Sequence, residues 1–120
     1  MSIQYLLDEH IPPLYRTQLV RQEPELVVRL IGDPDAPPKG TLDPDILLWC
    51  EMKNFILVTN NRKSMPKHLA EHLAQDRHIP GIFVMDLARN IGEVITELIV
   101  IAKASYDDEY QDRIEYLPII

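Results

Sequence analysis

The chain opens on Ile3-Gln4-Tyr5-Leu6-Leu7-Asp8-Glu9-His10, a run of mostly apolar residues that ends in two carboxylates. Ile11-Pro12-Pro13 follows directly, and a proline suits the first turn of a helix. A nearly continuous apolar run is typical of a strand that is buried on both faces of a parallel sheet. Ligands of open α/β sheets bind beyond the carboxyl ends of the strands, so acids placed there indicate a candidate site.

Strand patterns and helix patterns alternate along the rest of the chain. Strands are predicted at residues 3–7, 26–31, 55–59 and 82–85, with a short fifth candidate at 114–118. Helices are predicted from Pro12 or Pro13 to about residue 22, and at 44–53, 64–74 and 91–106. Such alternation predicts βαβ units, an α/β fold and a mainly parallel sheet of four or five strands. Pro118 restricts the fifth strand to the sheet edge.

Length and composition predict one domain over residues 1–120. A chain of this length buries enough surface for a single core, and its apolar content of 46% is ordinary for a globular protein. The single cysteine, Cys50, allows no internal disulfide, and we expect it to be buried in the second helix. We predict no membrane association and a cytoplasmic location, because no apolar run approaches the roughly 20 residues of a membrane span. The N-terminus also lacks the features of a signal peptide.

The net charge of −7 argues against a broad nucleic-acid-binding surface. The acids are concentrated, however, in a few places. Residues 106–115 carry five acids and one base, and six further acids cluster near residues 8–9, 33–35 and 43–45. The remainder of the chain has a mild excess of bases. A confined basic site therefore stays compatible with the composition.

Several acids fall at comparable places in the predicted fold. Asp8 follows the first strand, Asp43 and Asp45 begin the second helix, and Asp86 follows the fourth strand. In a parallel sheet these positions share one edge, where carboxylates would suit Mg²⁺ or Mn²⁺. Asp43 is either a metal ligand or simply the N-cap of the second helix, and the sequence leaves both open. We expect Asp86 and Glu9 to be peripheral secondary candidates.

Three short motifs resemble the small stand-alone PIN-like domains, relatives of the toxin ribonucleases of bacterial toxin–antitoxin pairs. The motifs are Leu6-Leu7-Asp8-Glu9-His10 with the prolines after it, Asp43-Pro44-Asp45-Ile46-Leu47, and Thr59-Asn60-Asn61-Arg62-Lys63. The resemblance covers residues 3 to about 85. It implies a three-layer α/β/α fold and RNA cleavage that depends on a divalent metal. It also implies that Asp8 and Asp45 are metal ligands and that an antitoxin-like protein is a partner.

The third motif departs from the family pattern. Where the family carries two aspartates, this chain carries Asn61 and Lys63. An asparagine still offers a neutral oxygen to a metal, but it brings no charge. Lys63 either binds substrate phosphate as a point charge or takes the place of the metal electrostatically.

Two functions follow from these residues. In the first, the chain is a PIN-like, Mg²⁺- or Mn²⁺-dependent ribonuclease with Asp8, Asp45 and Asn61 as catalytic residues. Its RNA contacts would come from Arg62, Lys63 and His10. In the alternative, the same fold no longer cleaves and acts as a binding or regulatory module. A homodimer is expected from the frequency of such dimers alone.

Other candidate sites have simpler explanations. His68 and His72 stand four residues apart on the third helix, a spacing that suits zinc. We expect both to face solvent, since they lie away from Leu69 and Leu73. A phosphoacceptor receiver domain would need an aspartate at the end of the third strand, where Thr59 stands. No Gly-rich phosphate-binding loop is present.

Overall fold

Strands and helices alternate throughout residues 2–118, the part of the chain that the computed structural model describes. The strands are β1 (Tyr5–Leu7), β2 (Val28–Leu30), β3 (Ile56–Thr59), β4 (Ile82–Met85) and β5 (Ile114–Leu117). The helices are α1 (Leu14–Gln22), α2 (Asp43–Lys53), α3 (Met65–Leu73) and α4 (Ile91–Ala104). Each strand lies inside its predicted range, so the predicted order of elements is confirmed.

The five strands form one sheet that is parallel throughout, in the order β2-β1-β3-β4-β5. Leu7 pairs with Leu30 on one side and with Val58 on the other, while Met85 pairs with Leu117. The carboxyl ends of all strands therefore share one edge, which we call the carboxyl edge. β5 lies at the side of the sheet, as its proline predicted.

Helices cover both faces of the sheet, which confirms the three-layer α/β/α architecture. Alternate residues of β1 point to opposite faces. Tyr5 and Leu7 join the core beneath α1 and α4, whereas Leu6 joins the core beneath α2 and α3. All three of these β1 side chains are fully buried, and burying one such side chain contributes about 1.5–3 kcal/mol. Burial on both faces explains why the strands read as continuous apolar runs.

The two histidines of α3 do not face solvent as predicted. The His72 side chain is 4% exposed, and its Nε2 lies 3.0 Å from Oε1 of Glu51. His68 is partly buried, with 22% of its side chain exposed. The prediction was wrong because α3 packs on α2 through the stripe Met65–Leu69–His72, which follows helical spacing, while Leu73 is only partly buried.

Residues 2–118 contain no helix whose length and apolar character would let it cross a bilayer.

Candidate functional site at the carboxyl edge

The carboxyl ends of β1 and β3 mark the point where the chain changes direction across the sheet. From β1 the chain passes to β2 on one side, and from β3 it passes to β4 on the other. Open α/β sheets form their binding crevice at this switch point. Asp8 directly follows β1, and Thr59 is the last residue of β3. The fold therefore brings these two residues to the place where a ligand would bind.

Asp8 is held in a fixed position by neutral donors. Only 6% of the residue is exposed, so its carboxylate needs hydrogen bonds to offset the loss of water. Thr59 Oγ1 donates to Oδ2 at 2.7 Å, and the backbone N–H of Glu9 donates to Oδ1 at 2.8 Å. The backbone N–H of Asp8 also donates to the Val58 carbonyl at 2.9 Å. Both carboxylate oxygens of Asp8 thus have partners within the protein.

Asn61 connects β3 to α2 and α3. Its backbone N–H donates to Thr59 Oγ1 at 3.1 Å, and its Nδ2 donates to Asp43 Oδ2 at 2.8 Å. The same Nδ2 lies 2.7 Å from Ser64 Oγ, while Oδ1 accepts from the Ser64 backbone N–H at 3.2 Å. A carboxylate only accepts and a backbone N–H only donates, so these partners fix which amide atom is nitrogen. Asn61 therefore presents hydrogen atoms, not oxygen, to Asp43.

Asp43 connects this group of residues to α3. His68 Nε2 lies 3.6 Å from Asp43 Oδ2, and His68 Nδ1 is buried without a hydrogen-bond partner among residues 2–118. Asp43 is the first residue of α2 rather than its N-cap; Leu42 holds that position without a side-chain cap. The Asp43 carboxylate is consequently available to Asn61. We call the set Asp8, Thr59, Asn61, Ser64, Asp43 and His68 the edge network.

The remaining predicted site residues lie outside the edge network. Glu9 Oε1 accepts from the Gly40 backbone N–H at 3.0 Å, which ties the end of β1 to the loop before α2. Asp45 is exposed, and its carboxylate has no hydrogen bond or ion pair with any residue in 2–118. The predicted pairing of Asp8 with Asp45 in a metal site stays a prediction, and it is Asp43 that the hydrogen bond from Asn61 joins to the edge network. His10 and Lys63 are also exposed.

Arg62 and Asp86 lie on the side of the carboxyl edge that β3, β4 and β5 form. The Arg62 guanidinium carbon is 5.1 Å from the centroid of the Tyr116 ring, within the range of a cation–π contact. Asp86 is exposed, and its Oδ1 accepts from the Ala88 backbone N–H at 2.9 Å. Both residues line one cavity with Tyr116.

The edge network does not fit a divalent cation in this arrangement. Mg²⁺ and Mn²⁺ require several oxygen ligands around one point. Within residues 2–118, no three His, Cys, Asp or Glu side chains are grouped so that they could hold an ion. Asn61 turns an N–H donor toward Asp43, and Asp8 is already bonded to Thr59. Both oxygens of Asp8 and Oδ2 of Asp43 thus already accept a hydrogen bond from a protein donor.

Sequence reasoning missed three members of the edge network, namely Thr59, Ser64 and His68. Thr59 could have been found, because the last residue of a strand beside β1 must lie next to the residue that follows β1. Ser64 stands three residues after Asn61, a spacing at which an asparagine side chain often bonds to the backbone of a turn. His68 was noticed only for its spacing from His72 and was expected to face solvent, because its position depends on how α3 packs against α2.

Comparison of the chain with protein-family models, with curated proteins and with solved structures gave no match in any of the three.

Proposed function

We propose that the chain is a PIN-like domain that binds RNA at its carboxyl edge without metal-dependent cleavage. The hydrogen bond from Asn61 Nδ2 to Asp43 Oδ2 carries this proposal. A nuclease of this kind would need an oxygen atom of residue 61 to face the cation that Asp8 binds. In this chain an amide N–H satisfies the carboxylate directly. The edge network therefore keeps its shape without an ion.

Exposed cations beside the edge network supply the RNA-binding part of the proposal. Arg62 and Lys63 follow Asn61 in the chain, and neither forms an ion pair with another residue in 2–118. Lysine and arginine at such positions bind phosphate oxygens and release counterions from the nucleic acid. Because the net charge is −7, we place the contact at this confined site and not over a broad surface.

Replacing Asn61 by aspartate tests the metal half of the proposal. In Asn61→Asp a second carboxylate faces Asp43, so we expect a loss of about 1–3 kcal/mol of unfolding free energy in EDTA. A divalent ion would relieve that repulsion. Added Mn²⁺ should therefore raise the melting temperature of Asn61→Asp by several degrees and leave the wild type unchanged. Thermal unfolding with EDTA, Mg²⁺ or Mn²⁺ measures both effects.

Asn60→Asp is the matched control, because it adds the same charge one residue away without facing Asp43. We expect its melting temperature to respond to Mn²⁺ as the wild type does. The competing function, a Mg²⁺- or Mn²⁺-dependent ribonuclease, predicts a different result. Single-stranded RNA would be cleaved by the wild type in Mn²⁺ and spared by Asp8→Asn, and that outcome would replace our proposal.

The wider biological setting belongs to the same proposal. A cytoplasmic location stays a prediction. A homodimer and an antitoxin-like protein partner stay predictions, the first from the frequency of dimers and the second from the resemblance alone. Sedimentation of the purified chain tests the dimer.

A further inference from the structure

A cavity of about 300 Å³ opens at the carboxyl edge, beside the ends of β3, β4 and β5. Its apolar lining comes from Val84, Met85 and Leu117, and its polar lining comes from Asn60, Arg62 and Asp86. Small-molecule sites in proteins combine an apolar wall with a few polar groups in this way, and their volumes start at about 300 Å³. The cavity is thus large enough for one planar ring system.

The charged groups of this cavity do not neutralise each other. Arg62 and Asp86 both line it, yet within residues 2–118 neither side chain forms an ion pair. Tyr116 and Leu87 are 41% and 39% exposed, so a ligand in the cavity can contact both. The cavity therefore offers a cation, a carboxylate and an aromatic ring to one ligand. A flat ligand with acceptors on one edge and donors on another fits that set.

We propose that this cavity is a guanine subsite for one unpaired nucleotide of the bound RNA, an inference that rests on the proposed RNA-binding function. Guanine presents O6 and N7 as acceptors, and arginine donates to this pair more often than to any other base edge. Its N1–H and N2 amino group donate, which suits Asp86. The base would stack on Tyr116, as unpaired RNA bases stack on aromatic side chains, and the Arg62 guanidinium, now 5.1 Å from that ring, would move to the O6 and N7 edge.

The proposal predicts a preference for guanine over adenine. Adenine carries an amino donor at position 6, where guanine carries an acceptor, so it would turn N–H groups toward Arg62. It also lacks the N1–H that donates to a carboxylate. A lost bidentate contact changes affinity by about 5- to 150-fold. A hexauridine RNA with one central guanosine should therefore bind at least about fivefold more tightly than the same RNA with adenosine.

Fluorescence anisotropy with these two RNAs and with plain hexauridine measures the preference. Asp86→Asn should abolish the discrimination between guanosine and adenosine. Tyr116→Ala should weaken binding of the guanosine RNA by about 5- to 150-fold, since stacking is lost, and Tyr116→Phe should retain it. Tyr106→Ala is the control, because Tyr106 is 80% exposed and does not line the cavity.

Calorimetric titration of the protein with guanosine monophosphate, and separately with adenosine monophosphate, tests the subsite independently of RNA binding. Binding of guanosine monophosphate that Asp86→Asn abolishes, with no binding of any RNA, would support the subsite and overturn the RNA-binding function. RNA binding without a guanosine preference, or with one that Asp86→Asn and Tyr116→Ala leave intact, would overturn the subsite alone. If neither guanosine monophosphate nor RNA binds, both proposals are overturned.

Discussion

The edge network holds its acids differently from a group of acids at the other edge of the sheet. At the carboxyl edge, Asp8 and Asp43 accept hydrogen bonds from neutral side chains, Thr59 and Asn61. At the other edge, where the strands begin, acids contact basic side chains: Glu51 lies 3.0 Å from His72 and 3.4 Å from Arg77, and Asp112 lies 2.7 Å from His78. We call the second group the amino-edge cluster.

The difference separates a structural role from a binding role. In the amino-edge cluster, acidic and basic side chains bond to each other. Glu51 connects the last turn of α2 to the segment before β4, and Asp112 connects that segment to the loop before β5. In the edge network, the neutral side chains of Thr59 and Asn61 donate to Asp8 and Asp43, and the neighbouring cations Arg62 and Lys63 are left for a ligand. These unpaired cations beside the edge network are the reason that we place the proposed RNA contact at the carboxyl edge.

The largest effect should come from Thr59→Val, which removes a hydroxyl without changing the size of the side chain. Asp8 is 6% exposed, so its carboxylate would lose a charge-assisted hydrogen bond in a buried place. We expect the unfolding free energy to fall by about 2–3 kcal/mol. Urea denaturation monitored by circular dichroism measures the change.

Thr96→Val on the exposed face of α4 is the control and should change stability by less than about 0.5 kcal/mol. If both valine variants unfold at the same urea concentration, the hydrogen bond from Thr59 to Asp8 does not stabilise the edge network. That result would contradict the role we give to neutral donors in this network.

Most of the fold could be predicted from the sequence because its signals are local. Buried strands appear as short apolar runs, and prolines and glycines mark the loops between them, so the strands and helices were located within a few residues. The face on which each helix packs is not local information. The stripe Met65–Leu69–His72 is buried because α3 meets α2, and the sequence of α3 alone favoured a different face.

The candidate site was only partly predictable for the same reason. Asp8 and Asn61 were placed at the carboxyl edge because they follow strands directly. The choice between Asp43 and Asp45 depends on the rotation of the first turn of α2, which the spacing of two acids does not fix. In the structure Asp43 contacts Asn61 and Asp45 is exposed. Tyr116 was missed because its contact with Arg62 joins segments far apart in the chain.

A smaller effect should come from Glu51→Gln at the amino edge. Glu51 accepts from the backbone N–H of His78 and the guanidinium of Arg77. These bonds are partly exposed, so we expect a loss of about 0.5–1.5 kcal/mol at low salt. Because salt screens exposed charge pairs, 1 M NaCl should reduce this loss. The Thr59→Val effect should persist at the same salt concentration, since its partners are buried.

A loss in Glu51→Gln that is as large in 1 M NaCl as at low salt would contradict the assignment of ion pairs to the amino edge. The comparison uses urea denaturation of the wild type and both variants at two salt concentrations. Arg21→Gln serves as a control, because Arg21 is exposed and forms no ion pair with another residue in 2–118. Its stability difference from the wild type should be near zero at both concentrations.

The smallest effect is a pH dependence that originates in His78. The hydrogen bond to Asp112 and the charge of that carboxylate raise the pKa of His78 above its ordinary value of 6.5. Burial opposes the shift at Asp112, but the hydrogen bond from His78 lowers the pKa of that carboxyl below its ordinary 3.8. Stability from a raised histidine pKa is fully present below pH 6.5 and is lost as pH rises through the raised value. Stability from a lowered carboxyl pKa is present above pH 3.8 and is lost as pH falls.

The pair therefore contributes fully between about pH 4 and pH 6.5. We expect His78→Gln to melt below the wild type at pH 6, and we expect the difference to shrink toward zero at pH 8.5. The other histidines are common to both proteins and cancel in this comparison. His10→Gln is the control at the carboxyl edge, where His10 is exposed and the acids are held by neutral donors. A difference for His78→Gln that stays constant from pH 6 to pH 8.5 would show that the amino-edge cluster, like the edge network, is held without titrating charge.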